Sequence, residues 1–268
     1  MPCASRREKI GLMSDAPTKV GVLGARGRMG SQACKAIDAA DGLELVAGVD
    51  IHDSLARLAG EHAEVVVDFT RPDVVMDNLK WCIGHGVSAV VGTSGFTDDR
   101  VDDLRAMIGD RDDVTVLIVP NFSIGAVLMM RFAAQAAPYF ESVDVVEKHH
   151  PEKVDAPSGT AQRTAEMIAR ARSAADSEPM PDATTSDPSG ARGAVIDGVP
   201  VHSVRARGLV AHQEVLLGAL GETLTIRHDS LDRESFMPGV VAGVRAVSGP
   251  ERRLHGVVVG LEHVLGLG

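Results

Sequence analysis

The chain has 268 residues, of which 44% are hydrophobic and 24% are charged, a balance typical of a globular protein with a substantial core. A net charge of −10 and an aromatic content of 3% argue against nucleic-acid binding and its base-stacking platforms. No apolar run approaches the length of a membrane span. Three scattered cysteines, Cys3, Cys34 and Cys82, have neither zinc-site nor disulfide spacing, which favours a reducing cytoplasm and no metal site.

Residues 1–18 carry Arg6 and Arg7 but lack the apolar segment of a signal peptide, so we predict a disordered leader. The next segment, Lys19–Gly24, is a short apolar run that ends in glycine and predicts the first strand.

A glycine-rich turn follows this strand, and then come a helix and a second strand, Leu43–Val49, which is closed by Asp50. A strand, glycine turn, helix, strand and acid in this order match the dinucleotide-binding fingerprint. The glycine spacing departs from the usual pattern, since Arg26 stands where the second glycine is expected, and an ordinary tight turn is the alternative. The flanking strands and the acid favour the dinucleotide site. Its predicted residues are Gly24, Ala25, Arg26, Gly27, Arg28, Met29, Gly30 and Asp50.

Three more apolar runs, at 64–69, 87–91 and 114–119, predict strands that alternate with helices. The alternation predicts an α/β fold, a Rossmann-like doubly wound parallel sheet. Ligands bind such sheets beyond the carboxyl ends of the strands. Small-residue loops at 92–94 and 119–122 lie at two of these ends, although such loops are also common as plain turns.

The segment 147–160 reads Glu-Lys-His-His-Pro-Glu-Lys-Val-Asp-Ala-Pro-Ser-Gly-Thr and combines a cationic loop with a helix start. The β-branched run before it predicts that His149 and His150 lie at the end of a strand. Ser158 is placed to cap the following helix, whose first backbone N–H groups favour an anion. A solvated charged turn is the alternative. Two histidines, an offset lysine and a small-residue helix start in one loop favour a site that holds an anion and supplies protons.

This motif resembles the signature of the dihydrodipicolinate reductases, and the resemblance extends from about Lys19 to the C-terminus. It implies NAD(P)H-dependent reduction of a small cyclic imine dicarboxylate, in lysine and diaminopimelate biosynthesis, by a homotetramer. It further implies the following roles. His149 and Lys153 are the acid/base pair; His150, Lys153, Gly159, Thr160 and, as a weaker candidate, Arg233 hold the substrate; Gly92, Thr93, Ser94, Val119, Pro120, Asn121 and Phe122 contact the nicotinamide. Ser94 departs from the family's usual threonine but keeps the hydroxyl.

After the motif, residues 173–193 predict a flexible loop, with a lid as the less favoured alternative. Runs at 199–207, 209–217 and 222–228 predict an antiparallel meander in a second, α+β domain for substrate binding and oligomerisation. A helix at 238–247 and a strand at 256–261 are expected to complete the first domain. The predicted domains are therefore 19–120 with 234–268, and 121–233. Histidines 202, 212 and 228 lie in the meander without the spacing of metal ligands.

Two features act in opposite directions on cofactor choice. Asp50 is expected to bind the adenosine ribose and to repel a 2′-phosphate, whereas Arg26 and Arg28 offer that phosphate a partner. We expect use of both NADH and NADPH, with NADH preferred or equal. The remaining alternatives are another two-domain dehydrogenase, for an amino acid or a polyol, and a redox sensor that binds NAD(H) without turnover.

Overall fold

A computed structural model describes residues 16–267 of the chain. The strands and helices of the first half are β1 Thr18–Leu23, α1 Arg28–Asp38, β2 Leu43–Val49, α2 Ala56–Gly60, β3 Val65–Asp68, α3 Val75–Gly84, β4 Ser88–Val91, α4 Asp98–Ile108 and β5 Thr115–Ile118. Those of the second half are α5 Ile124–Ala136, β6 Ser142–His149, α6 Gly159–Ala174, β7 Ala194–Ile196, β8 Val199–Arg205, β9 Ala211–Ala219, β10 Glu222–Ser230, α7 Met237–Val247 and β11 Gly256–Val259. Most of the predicted leader lies outside the described residues, but Thr18 already belongs to β1.

The chain forms two compact units. The first runs to Ile118 and includes Val241–Val258; the second comprises Val119–Val240 and the residues from Val259 onward. The boundaries predicted from the sequence lie at residues 120 and 234 instead. Gly239 shows why the start of α7 belongs to the second unit, because its backbone lies directly against the carbonyl of Phe122.

A six-stranded sheet in the order β11-β5-β4-β3-β1-β2 forms the first unit. The pairs from β2 through β5 are parallel, as predicted. Every residue of β3, β4 and β5 is buried, without the alternation of a half-exposed strand. Burial on both faces is what a doubly wound sheet requires, so the Rossmann-like fold is confirmed.

A mixed five-stranded sheet in the order β10-β9-β6-β8-β7 forms the second unit. The predicted meander is wrong for β8, which pairs in parallel with β6 rather than with β9. The long connection through α6 makes this possible, since parallel neighbours need a crossover whereas a tight turn permits only an antiparallel pair. Only β9 and β10 form the expected hairpin, through a turn at which Gly221 has a φ of 83°.

The segment from 175 to 193 contains no helix or strand. It is nevertheless tied down at both ends. The buried guanidinium of Arg172 donates to the carbonyls of Ala137, Phe140 and Glu178, and Arg192 pairs with Asp144 on β6 at 3.5 Å. Within residues 16–267, no helix is both long and apolar enough to cross a membrane.

Candidate functional site

The glycine turn after β1 is built for close backbone approach. Gly24 has a φ of +73°, and a Cβ there would lie 2.5 Å from the carbonyl oxygen of Phe69. Gly30 packs directly against the carbonyl of Gly24, and the Gly27 N–H donates to that carbonyl at 2.9 Å. Side chains at positions 24 and 30 would therefore disrupt the turn. The turn leads directly into α1, whose first backbone N–H groups provide the donors that a pyrophosphate needs.

Asp50 faces this turn from the end of β2. One carboxylate oxygen accepts the backbone N–H of Arg26 at 2.8 Å, and the other accepts that of Ile51 at 2.9 Å. These hydrogen bonds, first from Ile51 and then from Arg26, hold the pKa of Asp50 below its usual value. Asp53, which the sequence analysis missed, accepts the Asp50 N–H at 2.9 Å and pairs with the Arg26 guanidinium at 3.3 Å.

A cavity of about 410 Å³ lies beside the turn. Its lining combines apolar side chains with Asp50 and the turn backbone. The full set is Leu23, Gly24, Gly27, Val49, Asp50, Ile51, Asp53, Leu55, Phe69, Thr70, Arg71, Val74 and Asn78. An apolar hollow with a carboxylate and a glycine cradle at its edge fits the adenosine end of a dinucleotide.

The loop after β4, which holds Gly92, Thr93 and Ser94, is fastened to β3 through Asp68. This fully buried carboxylate accepts the hydroxyls of Thr93 at 2.9 Å and Thr70 at 2.6 Å, and the amide of Asn78 at 2.9 Å. Four donors around one carboxylate, counting the Thr70 N–H, satisfy it without a cation. The sequence signal was an acid at the end of an otherwise apolar strand.

In the second unit, β6 ends at His149, as the sequence predicted. The Nδ1 atom of His149 lies 2.5 Å from Oε2 of Glu147, which is fully buried. Arg205, from β8, donates to both oxygens of Glu147, at 2.9 and 2.8 Å. Sequence reasoning missed both partners, because Glu147 reads as one charge among several and Arg205 is remote in the chain.

The charges around His149 have opposing effects on its pKa. Burial lowers the pKa of His149, and the hydrogen bond to Glu147 only partly offsets that effect. Burial by itself raises the pKa of Glu147, but hydrogen bonds from Arg205, Ser203 and His149 outweigh it and leave that pKa lowered. The pair thus consists of an ionised carboxylate and a histidine that gives up its proton readily.

The loop from His150 to Ser158 carries the lysine. The ammonium of Lys153 pairs with Asp155 at 2.7 Å, and this hydrogen bond lowers the pKa of Asp155. Arg205 donates to the Asp155 carbonyl at 2.8 Å, so the same arginine holds both the strand end and the loop. Nδ1 of His150 is buried and has no partner among the described residues, which leaves it available to a ligand.

The helix start is capped as predicted, since Ser158 Oγ accepts the Ala161 N–H at 3.2 Å. The space where a Gly159 side chain would lie is open. The hydroxyl of Thr160 accepts from the amide of Asn121 at 3.0 Å. The structure thus brings a residue predicted to contact the nicotinamide against one predicted to hold the substrate. Val119, Pro120 and Phe122 lie in the same loop before α5.

Arg233 and the three histidines of β8, β9 and β10 have the following surroundings. Arg233 begins a short 3-10 helix, and the structure describes no hydrogen bond or ion pair of its guanidinium. His202 binds Asp144, His212 binds Asp229, and His228 binds Ser123, so each of these histidines has a partner of its own. Within residues 16–267, no group of three or more histidines, cysteines and acids is arranged for a metal ion.

Comparisons with known proteins identify the family. A family model described as dihydrodipicolinate reductase, N-terminus, matches residues 18–122, and its companion for the C-terminus matches residues 125–265. The chain belongs to the dihydrodipicolinate reductase family. The family predicted from the sequence is therefore confirmed, and with it the class of NAD(P)H-dependent oxidoreductases.

Individual members of this family are similar to the chain over most of its length. A protein from Streptomyces griseus named 4-hydroxy-tetrahydrodipicolinate reductase is 59% identical over 249 residues, 93% of this chain and 98% of the relative. A protein of the same name from Mycolicibacterium smegmatis is 58% identical over 93% of this chain and 99% of the relative. The structure of dipicolinate-bound dihydrodipicolinate reductase from Paenisporosarcina sp. TG-14 superimposes with a TM-score of 0.78 and 36% identity, covering 92% of this chain and 99% of that one. A myo-inositol 2-dehydrogenase from Lactobacillus plantarum, at 11% identity and a TM-score of 0.57 over 87% of this chain and 89% of that one, shares the fold alone.

Proposed function

We propose that this protein reduces 4-hydroxy-tetrahydrodipicolinate to tetrahydrodipicolinate with NADH or NADPH, in the cytoplasm, as a step of lysine and diaminopimelate biosynthesis. The reduction combines loss of water from the 4-hydroxy form with addition of a hydride and a proton. One observation carries the proposal, the loop between β6 and α6, where His149, Lys153 and a capped helix start occur in one compact unit. The family relationship supports the same reaction.

When bound, the reduced nicotinamide supplies a hydride to an electron-poor carbon of the conjugated imine. The protein then has to stabilise the enamine anion that develops and to deliver a proton to it. His149, with a lowered pKa, and the ammonium of Lys153 are the groups placed to do so. The two substrate carboxylates need fixed donors, which the N–H groups of Gly159 and Thr160 and the cationic loop provide.

The test is replacement of His149 or Lys153 by alanine, which we expect to lower kcat by ~10²–10⁴. The affinity for NADH should hardly change, because the glycine turn and Asp50 lie in the other unit. Arg170→Ala is the matched control: it removes an exposed cation of the same unit, on α6 but away from its first turn. Near-parental turnover in both alanine variants would contradict the assignment.

We further propose that the protein is a homo-oligomer, a tetramer by resemblance to its family. On β9, Leu216 is 43% exposed between the buried residues Val215 and Leu217, and Val204 on β8 is 40% exposed on the same side of the sheet. The charges on that side are already paired, Lys148 with Glu214 and Arg227 with Asp229. The surface would therefore lose water without leaving a charge unpaired.

Size-exclusion chromatography with light scattering tests this proposal. The parent is expected at four times the chain mass, and Leu216→Glu at a smaller mass. Met107→Glu is the control, because Met107 is equally exposed, at 42%, but lies on α4 in the first unit. A monomeric parent, or an equal effect of both substitutions, would contradict the proposal.

A further inference from the structure

The buried carboxylate of Glu147 binds groups from three parts of the second unit: the end of its own strand, β8 and the start of α6. Its exposure is 0%, although it lies only two residues before His149. Oε2 meets Nδ1 of His149 and Nη1 of Arg205, while Oε1 accepts from Nη2 of Arg205 and from the N–H of Ser158 at 3.2 Å. The proton transfer proposed above uses neither Glu147 nor Arg205 directly.

The geometry determines which histidine nitrogen carries a proton. An arginine that donates to both oxygens holds a buried carboxylate in its ionised form, which can only accept hydrogen bonds. The His149 nitrogen 2.5 Å from it must therefore be a donor. Neutral His149 then has its proton on Nδ1, and Nε2 is the atom that exchanges a proton with a ligand.

We propose that Glu147, held by Arg205, is the positioning residue for His149: it sets the tautomer and orientation of the imidazole and ties the start of α6 to the same point. The claim that this histidine serves a proton transfer rests on the proposed function. Because Ser158 binds the same carboxylate, the proton donor and the helix start keep a fixed separation.

The charged groups that face His149 come from three elements. Glu147 lies on its own strand, Lys153 and Asp155 on the following loop and Arg205 on β8, whereas the neighbour on β9 is the uncharged Ala211. Asp155 is already paired with Lys153, so Glu147 is the anion that binds His149 directly, and it opposes the effect of burial and of both cations. Removing its charge should lower the pKa of His149, so that the histidine loses its proton at a lower pH.

Nitrogen-15 NMR of the parent protein tests the tautomer directly. The His149 signals are identified by their loss in His149→Asn. The proposal predicts that neutral His149 is protonated on Nδ1; protonation on Nε2 would overturn it. This measurement needs no substrate, and it does not depend on whether Glu147→Gln folds.

Glu147→Gln tests the charge, since glutamine keeps the shape and an acceptor oxygen. We expect kcat to fall by about 10- to 100-fold, and the alkaline limb of the kcat–pH profile to move to lower pH together with the NMR titration of His149. Asp144→Asn is the matched control, because Asp144 on the same strand binds His202 at 2.8 Å and Arg192 at 3.5 Å. It should leave both readouts at parental values.

Arg205→Lys keeps a cation but loses the two-pronged contact, so Glu147 is held less firmly and kcat is expected to fall less than in Glu147→Gln. A loss of turnover in Glu147→Gln with an unchanged titration of His149 would show that Glu147 is only structural and would overturn the proposal. Absence of reductase turnover in the parent, with the predicted tautomer present, would instead contradict the proposed function alone.

Discussion

The cofactor preference that we predict depends on single residues at the end of β2. The structure modifies the expectation that Arg26 is free to bind a 2′-phosphate, because its guanidinium already pairs with Asp53 at 3.3 Å. Asp50 is held in the same arrangement through the Arg26 N–H. Two carboxylates and one arginine thus lie at the position where the adenosine ribose is expected, and use of both cofactors with NADH preferred or equal stays a prediction.

Three substitutions separate these effects. Asp50→Ala should shift the preference toward NADPH, since a repelling carboxylate is removed. Asp53→Asn should do the same by releasing Arg26, whereas Arg26→Ala should weaken NADPH more than NADH. The measurement is kcat/KM for each cofactor. A strong parental preference for NADPH that none of the three changes would place the ribose elsewhere.

Residues that lie close together in the sequence could be predicted as a site, whereas residues that are distant in the sequence could not. The motif residues lie close together in the sequence, so the motif itself predicted a site. They are His149, Lys153, Ser158 and Thr160. Arg205 lies more than fifty residues after its partner Glu147, and only the parallel pairing of β6 with β8 brings the two side chains together. Because strand pairing in the folded protein creates this contact, no local sequence pattern predicts it.

At the scale of elements, the start of α6 has two roles, as a capped helix end and as the proposed anion site. Ser158→Ala removes the cap and should cost ~1 kcal/mol of unfolding free energy, lowering Tm by about 2–4 °C. The KM for the dicarboxylate should rise as well, because the first turn loses its fixed geometry.

Thr97→Ala is the control for this helix start. Thr97 caps α4 by accepting from the Arg100 N–H at 3.4 Å, and α4 lies in the first unit. It should lower Tm to a similar extent and leave KM unchanged. Equal KM values in the two variants would show that the start of α6 does not bind the substrate.

Features that depend on the local sequence pattern were predicted correctly, whereas the partner of a strand, which depends on the tertiary fold, was not. The buried apolar runs of β3, β4 and β5 and the cap of α6 were readable from the sequence. The partner of β8 was not, since an antiparallel and a parallel neighbour place the same alternating residues on the same face.

At the scale of the whole molecule, the division of labour between the two units remains a proposal. The first unit holds the glycine turn, Asp50 and the 410 Å³ cavity, and the second holds His149, Lys153 and the start of α6. The long motif predicted the family, but it could not show that 234–240 pack with the second unit, because that packing depends on Phe122 far away in the chain.

The most direct test of the account is steady-state oxidation of NADH and NADPH with freshly generated 4-hydroxy-tetrahydrodipicolinate, beside a panel of amino acids and polyols. We predict saturable, stoichiometric consumption of either cofactor with the dicarboxylate alone, competitive inhibition by dipicolinate, and weaker inhibition by monocarboxylate analogues. Cofactor binding without turnover would favour a redox sensor, and turnover of a polyol or an amino acid another dehydrogenase. Either result would contradict the account.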